Sequence, residues 1–222
     1  KGKEYYNNGN LVFEGEYLDG KRWTGNGYNK NGNIEFEIKD GKGNIKEYDF
    51  KGKLKFEGKY LNGERNGKGK EYNKYDDIFI YEGEYLNGER NGKGKEYYNN
   101  GELEYEGEYL NGKRNGKGKE YYNNGELKYE GEYLNGKRNG KGKEKEYNEC
   151  GIVTFEGEYL SGVRNGKGKE YYCNDELIFE GEYLNGDRWN GKGKEYDYGG
   201  KLKFEGEYLN GERNGKIKEY DF

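Results

Sequence analysis

Proline, methionine, histidine and alanine are all missing from this chain of 222 residues, and cysteine occurs only twice. Without histidine, no Ser-His or Cys-His nucleophilic pair can form within the chain. A zinc site would have to be built from carboxylates and two thiols, so no metal and no cofactor is expected. Long apolar runs are lacking too. Only 29% of the residues are hydrophobic, and no run approaches the ~20 residues of a membrane-spanning helix. No signal peptide is visible. An excess of positive charge is also wanting: 40 cationic side chains face 44 anionic ones, a net charge of -4. A nucleic-acid partner normally calls for a basic excess, so none is expected.

A chain with 38% charged residues and a mean hydropathy of -1.52 would ordinarily be disordered, because it cannot bury enough apolar area to offset its conformational entropy. What argues otherwise is an aromatic content of 17%, with 27 tyrosines. Aromatic side chains bury large areas, and here they recur in a pattern. An aromatic followed by Glu, mostly then Gly, stands at Phe13, Phe36, Phe56, Tyr81, Tyr105, Tyr129, Phe155, Phe179 and Phe204. A fixed period of ~24 residues marks a repeat architecture.

The unit has the grammar of a β-hairpin. In LKYEGEYL, from Leu127 to Leu134, one face carries Leu127, Tyr129, Gly131 and Tyr133, the other Lys128, Glu130, Glu132 and Leu134. A period of two is a strand signature. Asn135-Gly136 favours a tight turn, a second strand returns through GKGKEYY, and Asn123-Asn124-Gly125 turns the chain again. Regularly spaced glycines leave room for tyrosine rings to lie across the backbone. The prediction is an all-β protein: an elongated single antiparallel sheet, a meander of tandem hairpins filling residues 1–222 as one array of about nine repeats. Stability comes mainly from neighbouring repeats.

The irregularities are informative. The second repeat, IEFEIKDGKGNIKEY, shortens its loop to a turn at Asp40-Gly41. Arg22-Trp23-Thr24 and Arg188-Trp189-Asn190 each carry one extra residue, and Ile217 stands where the second strand usually has Gly, as a terminal cap would. Cys150 and Cys173 occupy equivalent turns ~10 Å apart at ~4.8 Å per strand, beyond the ~7 Å limit for a disulfide. Both are expected to be free thiols of a reducing, cytoplasmic compartment, with a membrane-apposed location as the alternative.

At YEGEYLNGKRNGKGKEYYNNG the chain resembles the MORN repeat: an aromatic, then x-G-x-aromatic-x-x-G, then a Gly-x-Gly pair, as in Tyr81, Gly83, Tyr85, Gly88, Gly92 and Gly94. YYNNGELKYEGEY is similar to the antitoxin-type variant. The resemblance covers nearly the whole chain. It implies a sheet of hairpins acting as a scaffold or linker for protein partners or as a homodimer. Phospholipid binding and antitoxin-like inhibition of a partner are the alternatives it brings.

Two rows are candidate interaction residues. All eight arginines share one place, two residues after the turn Gly: Arg22, Arg65, Arg90, Arg114, Arg138, Arg164, Arg188 and Arg213. As a row along loop edges they would either stack on aromatics and bond loop carbonyls or meet anionic partners such as phospholipid. Tyr85, Tyr109, Tyr133, Tyr159, Tyr183 and Tyr208 pack first, and any surface left over would offer a protein a contact strip. Catalytic patterns dissolve on inspection. Glu106 and Glu108 lie ~7 Å apart on one strand, as in a glycosidase, but the pair recurs in most repeats with nothing to differentiate its members. GDRWNGKG from Gly186 imitates a phosphate-binding loop, yet it ends in Gly193 instead of Ser or Thr and opens no helix. The expectation is a non-catalytic scaffold.

Overall fold

A computed structural model describes residues 1–73, 78–172, 174–197 and 199–219, the side chains of Lys143 and of residues 215–219 excepted. Among the described residues there are strands and turns and no helix. The chain divides into two compact units, Lys1–Lys113 and Arg114–Phe222. The first contains β1 (Gly2–Tyr5), β2 (Leu11–Leu18), β3 (Lys21–Tyr28), β4 (Ile34–Ile38), β5 (Gly43–Tyr48), β6 (Leu54–Leu61), β7 (Glu64–Tyr72), β8 (Phe79–Leu86), β9 (Glu89–Tyr97) and β10 (Leu103–Leu110). The second contains β11 (Lys113–Tyr121), which starts at the division. It continues with β12 (Leu127–Leu134), β13 (Lys137–Arg138), β14 (Gly140–Tyr147), β15 (Val153–Leu160), β16 (Val163–Tyr171), β17 (Leu177–Leu184), β18 (Asp187–Tyr196), β19 (Leu202–Leu209) and β20 (Glu212–Glu219). Within each unit, sequential strands pair antiparallel, as the alternating pattern predicts, except that β4 and β5 end separate sheets and β12 pairs with both β13 and β14.

The turns explain the pairing. Asn87 (φ 50°) and Gly88 (φ 87°) are both left-handed, as are Asn135 (φ 52°) with Gly136 (φ 85°) and Asp40 (φ 50°) with Gly41 (φ 72°). Two successive positive φ values make the tight hairpin turn whose twist matches the strands it joins. Each turn is also tied to the one before it. The Gly88 N–H donates to the Arg65 carbonyl at 3.0 Å, and the Gly186 N–H to that of Arg164 at 2.9 Å. At the opposite ends, Asn100 Oδ1 accepts from the Glu102 N–H at 3.1 Å, a side chain closing its own turn.

A row of glycines crosses the strands. In the first unit Gly58 pairs with Gly69, Gly69 with Gly83, Gly83 with Gly94 and Gly94 with Gly107. In the second, Gly157, Gly168 and Gly181 follow one another in the same way. A Cβ added to Gly94 would meet the Tyr81 hydroxyl at 2.3 Å, and one on Gly168 the Phe155 ring at 2.7 Å. The rings therefore occupy the space that side chains would have filled. Phe56, Tyr81 and Tyr105 in the first unit, and Tyr129, Phe155 and Phe204 in the second, are completely buried. They meet the tyrosines edge to face, as in Tyr81–Tyr85 at 5.7 Å and Phe155–Tyr183 at 5.2 Å between centroids, the geometry favoured by the ring quadrupole.

Two interruptions of that row have local causes. Between β4 and β5 the ladder shrinks to the single bridge Lys39↔Lys42. Ile38, paired with Gly25, and Ile45, paired with Gly58, hold the two adjoining places of the row. Two β-branched side chains cannot share the space of two hydrogens. The strands part there, and both isoleucines go into a small core with Phe13 and Phe36. In the second unit, the two residues added to β14's repeat bring Glu144 into the row, opposite Gly157. Its buried carboxylate accepts the Glu132 N–H at 2.9 Å, and burial pushes its carboxyl above the ordinary value. Cys150 is a free, exposed thiol. Cys173 and the Ile217 side chain lie outside the described residues.

Candidate functional site

The arginines are not loop residues. The tight Asn-Gly turn closes so early that each arginine is already the second residue of the returning strand, with Arg90 opposite Tyr85 and Arg164 opposite Tyr159. Strand alternation then points it onto the aromatic face. Arg65 stands 4.2 Å from the Phe56 ring centroid, Arg90 3.9 Å from Tyr81, Arg138 4.1 Å from Tyr129 and Arg164 4.2 Å from Phe155. Of the two arrangements the sequence left open, the described geometry is stacking on aromatic rings, with carboxylates as the polar partners.

Those carboxylates come from a glutamate the sequence reading passed over, the Glu of each KEY or KEKEY segment. Glu71 accepts from the Tyr85 hydroxyl at 2.8 Å, from Arg90 Nη2 at 2.6 Å and from Arg65 Nη1 at 3.2 Å. Arg65 in turn grips Glu47 with Nε at 2.7 Å and Nη2 at 2.8 Å, and Arg90 reaches Glu96 at 2.6 Å. The first unit thus holds an alternating chain Glu47–Arg65–Glu71–Arg90–Glu96. In the second unit Glu120 takes the Tyr133 hydroxyl at 2.5 Å and Arg138 at 2.7 Å, and lies 3.7 Å from Arg114. Arg138 continues to Glu146 at 2.9 Å, and Arg164 joins Glu146 to Glu170, the latter at 3.6 Å. The regular Glu of the KEY segment is the available signal: it recurs in all repeats but the one that begins at Phe13, on the same strand face as the arginines.

Electrostatics follow the geometry. Burial alone would raise the Glu71 carboxyl, but the hydrogen bonds from Arg90 and Tyr85 hold it below its ordinary value. Glu120 is lowered in the same way against its burial by Arg138 and Tyr133. The Tyr85 and Tyr133 hydroxyls are pushed far up by burial and by those same carboxylates. Tyr85, Tyr109, Tyr133, Tyr159 and Tyr183 are buried, while Tyr208 is half-buried. Packing takes up these rings: Tyr85 lies between Phe56 and Tyr81, and Tyr183 between Phe155 and Phe179, each with an arginine 5.9 Å from its centroid.

The opposite face is the exposed one. Lysines and glutamates oppose each other across it: Lys95 and Glu106 at 3.7 Å, Lys119 and Glu130 at 3.4 Å, Lys169 and Glu180 at 3.0 Å. Glu106 and Glu108 lie here opposite Lys95 and Lys93, a charge-paired strand surface. Just before the turns the same face carries half-exposed leucines: Leu86 and Leu110 in the first unit, and Leu134, Leu160, Leu184 and Leu209 in the second. Among the described residues, no group of three or more acidic or thiol side chains is arranged to hold a metal ion.

Comparison with protein families agrees with the hairpin periodicity. The MORN repeat model matches residues 56–74, 81–102, 105–126, 129–145 and 155–176. A MORN repeat variant matches residues 1–19 and 189–210. No curated protein matches the chain.

Proposed function

Because the chain belongs to the MORN-repeat family, we propose that it is a non-catalytic scaffold that binds a protein partner through its exposed lysine–glutamate face. The observation that carries this reading is the division of labour between the two faces. The arginines, which would be the natural contacts for a phospholipid, spend their charge on internal glutamates. Arg65, Arg90, Arg138 and Arg164 have side chains no more than 23% exposed. What is offered outward is balanced charge interspersed with leucine. A polar rim around isolated apolar anchors suits a protein surface, and an anionic membrane would find no net basic patch there.

The test is affinity capture with the whole chain as bait, beside a Leu134→Lys, Leu160→Lys double variant that folds alike by circular dichroism. The expected result is a protein captured by the wild type and lost by the variant. Co-sedimentation with phosphatidylserine vesicles, together with equal capture by both baits, would overturn the reading.

A further inference from the structure

Arg188 and Arg22 depart from the pattern of the charge chains, and both precede a tryptophan. Arg65, Arg90, Arg138 and Arg164 each hold two carboxylates, one with Nη2 and a second with Nη1. Arg188 holds one. Its Nε and Nη2 bind Glu170 at 2.8 and 2.7 Å, while Nη1 meets the Lys194 carbonyl at 3.4 Å, and the neutral Tyr208 hydroxyl is a further hydrogen-bond partner of the guanidinium. Arg22, before Trp23, likewise holds Glu4 alone. Both stand farther from their rings than their counterparts, 5.1 Å for Arg188 over Phe179 and 4.9 Å for Arg22 over Phe13.

Near Arg22 the returning strand β3, KRWTGNGY, has no glutamate to offer; at Arg188 the cause is register. In an ordinary repeat Tyr85 faces Arg90 and Gly83 faces Gly94, and the Glu96 carboxylate comes within reach. In β18, Tyr183 faces Arg188 but Gly181 already faces Gly191, and Phe179 faces Gly193 where Tyr81 faces Glu96. Glu195 is carried two residues farther along the strand, ~7 Å at the rise of a β-strand. It is instead satisfied by the Tyr208 hydroxyl at 2.5 Å and by Arg213. The space so opened is a groove of about 650 Å³ bordered by Arg164, Glu170, Arg188, Trp189, Glu195 and Tyr208.

We propose that this groove is a recognition site for an acidic side chain of a partner protein, whose carboxylate takes the Nη1 edge of Arg188 as Glu96 takes that of Arg90. The four complete arginines show what chemistry fits that edge. A guanidinium already bound to one carboxylate presents a second planar fork, and a carboxylate matches it better than a carbonyl. Along the row Glu120, Glu146 and Glu170 alternate with Arg138, Arg164 and Arg188, and Arg188 is the end member, with a carbonyl and no second carboxylate on its Nη1 edge. The carboxylate nearest on the far side, Glu195, is neutralised by Arg213. Trp189, half-buried at the rim, supplies an apolar wall for the methylene stem of the incoming residue. The inference rests on the protein-binding proposal and deepens it by naming the partner's chemistry, at a groove bordered by Leu184 and remote from Leu134 and Leu160 in sequence.

The experiment uses the whole chain carrying Trp23→Phe, so that fluorescence reports Trp189 alone. The probes are a capped Gly-Glu-Glu-Gly peptide and its Gly-Gln-Gln-Gly counterpart. Expected are a saturable fluorescence change with the glutamate peptide, at least tenfold weaker binding of the glutamine peptide, and at least tenfold loss in Arg188→Gln. Deleting Trp189 restores the ordinary spacing and lets Arg188 reach Glu195. That variant is expected to keep its fold and lose calorimetric binding of the glutamate peptide, which separates loss of the site from loss of the structure. Absence of saturation with the glutamate peptide, equal binding of both peptides, or undiminished binding by either variant would overturn the assignment. None of these outcomes bears on capture through Leu134 and Leu160, so the two proposals fail separately.

Discussion

A tyrosine and a phenylalanine do the same packing work at the first aromatic of each repeat, but not at the same cost. Tyr81 is fully buried, and its hydroxyl lies over Gly83 and Gly94 with no hydrogen-bond partner. Phe56 and Phe155 hold the same position without a polar atom to satisfy. A buried hydroxyl left unpaired costs about 1 kcal/mol or more. Tyr81→Phe is therefore expected to stabilise the protein by roughly 1 kcal/mol, read as a raised urea midpoint with an unchanged slope. The tyrosines of the second position differ: the Tyr85 hydroxyl serves Glu71 at 2.8 Å, which is why tyrosine and not phenylalanine recurs there.

At the scale of the strand, hairpin boundaries and faces could be read from period and turn residues alone, since Asn-Gly and alternation act locally. Which side chains would pair could not. The arginines look like loop residues in sequence, because the two-residue turn uses fewer residues than the polar stretch around it offers. Glu71 and its equivalents look like ordinary solvated charge in sequence, because they meet arginines of two hairpins, one of them 18 or 19 residues away along the chain. The parting of β4 from β5 was equally hidden, although Ile38 and Ile45 are plain departures from glycine. Only the cross-strand register reveals that they occupy adjoining places. That parting has a measurable consequence. Amides of β4 and β5 that point toward each other lack ladder partners, so they should exchange with solvent deuterium at least about tenfold faster than those of β8, which is paired on both edges. Equal protection would mean that the isoleucines do not separate the strands.

For the whole molecule, the charge chains link stability to pH. The Glu4, Glu47, Glu71, Glu120, Glu146 and Glu195 carboxyls are all held below their ordinary value of 4.5 in the folded chain. For an acid with a depressed folded value, the unfolded state binds protons first. The stabilisation is complete above 4.5 and disappears as pH falls through the folded values. Glu144, raised by burial, works in the opposite sense: its contribution favours the fold at low pH and is lost as pH rises through its folded value. With six groups against one, the urea midpoint should stay nearly level from pH 7 to pH 5 and drop steeply below 4.5. A midpoint that climbs on acidification would show that burial, not arginine, governs these acids.

The offset between each ladder glutamate and its arginine also bears on how such a gene can change length. Glu47 finds Arg65, and Arg65 finds Glu71, so a regular hairpin lends an acid forward and a base back. Recombination that removes or duplicates a complete period rejoins these halves with new but identical neighbours. A cut at half the period strands a base beside a base. Copy number can therefore drift by slippage, while the phase of the repeat is held fixed by electrostatics.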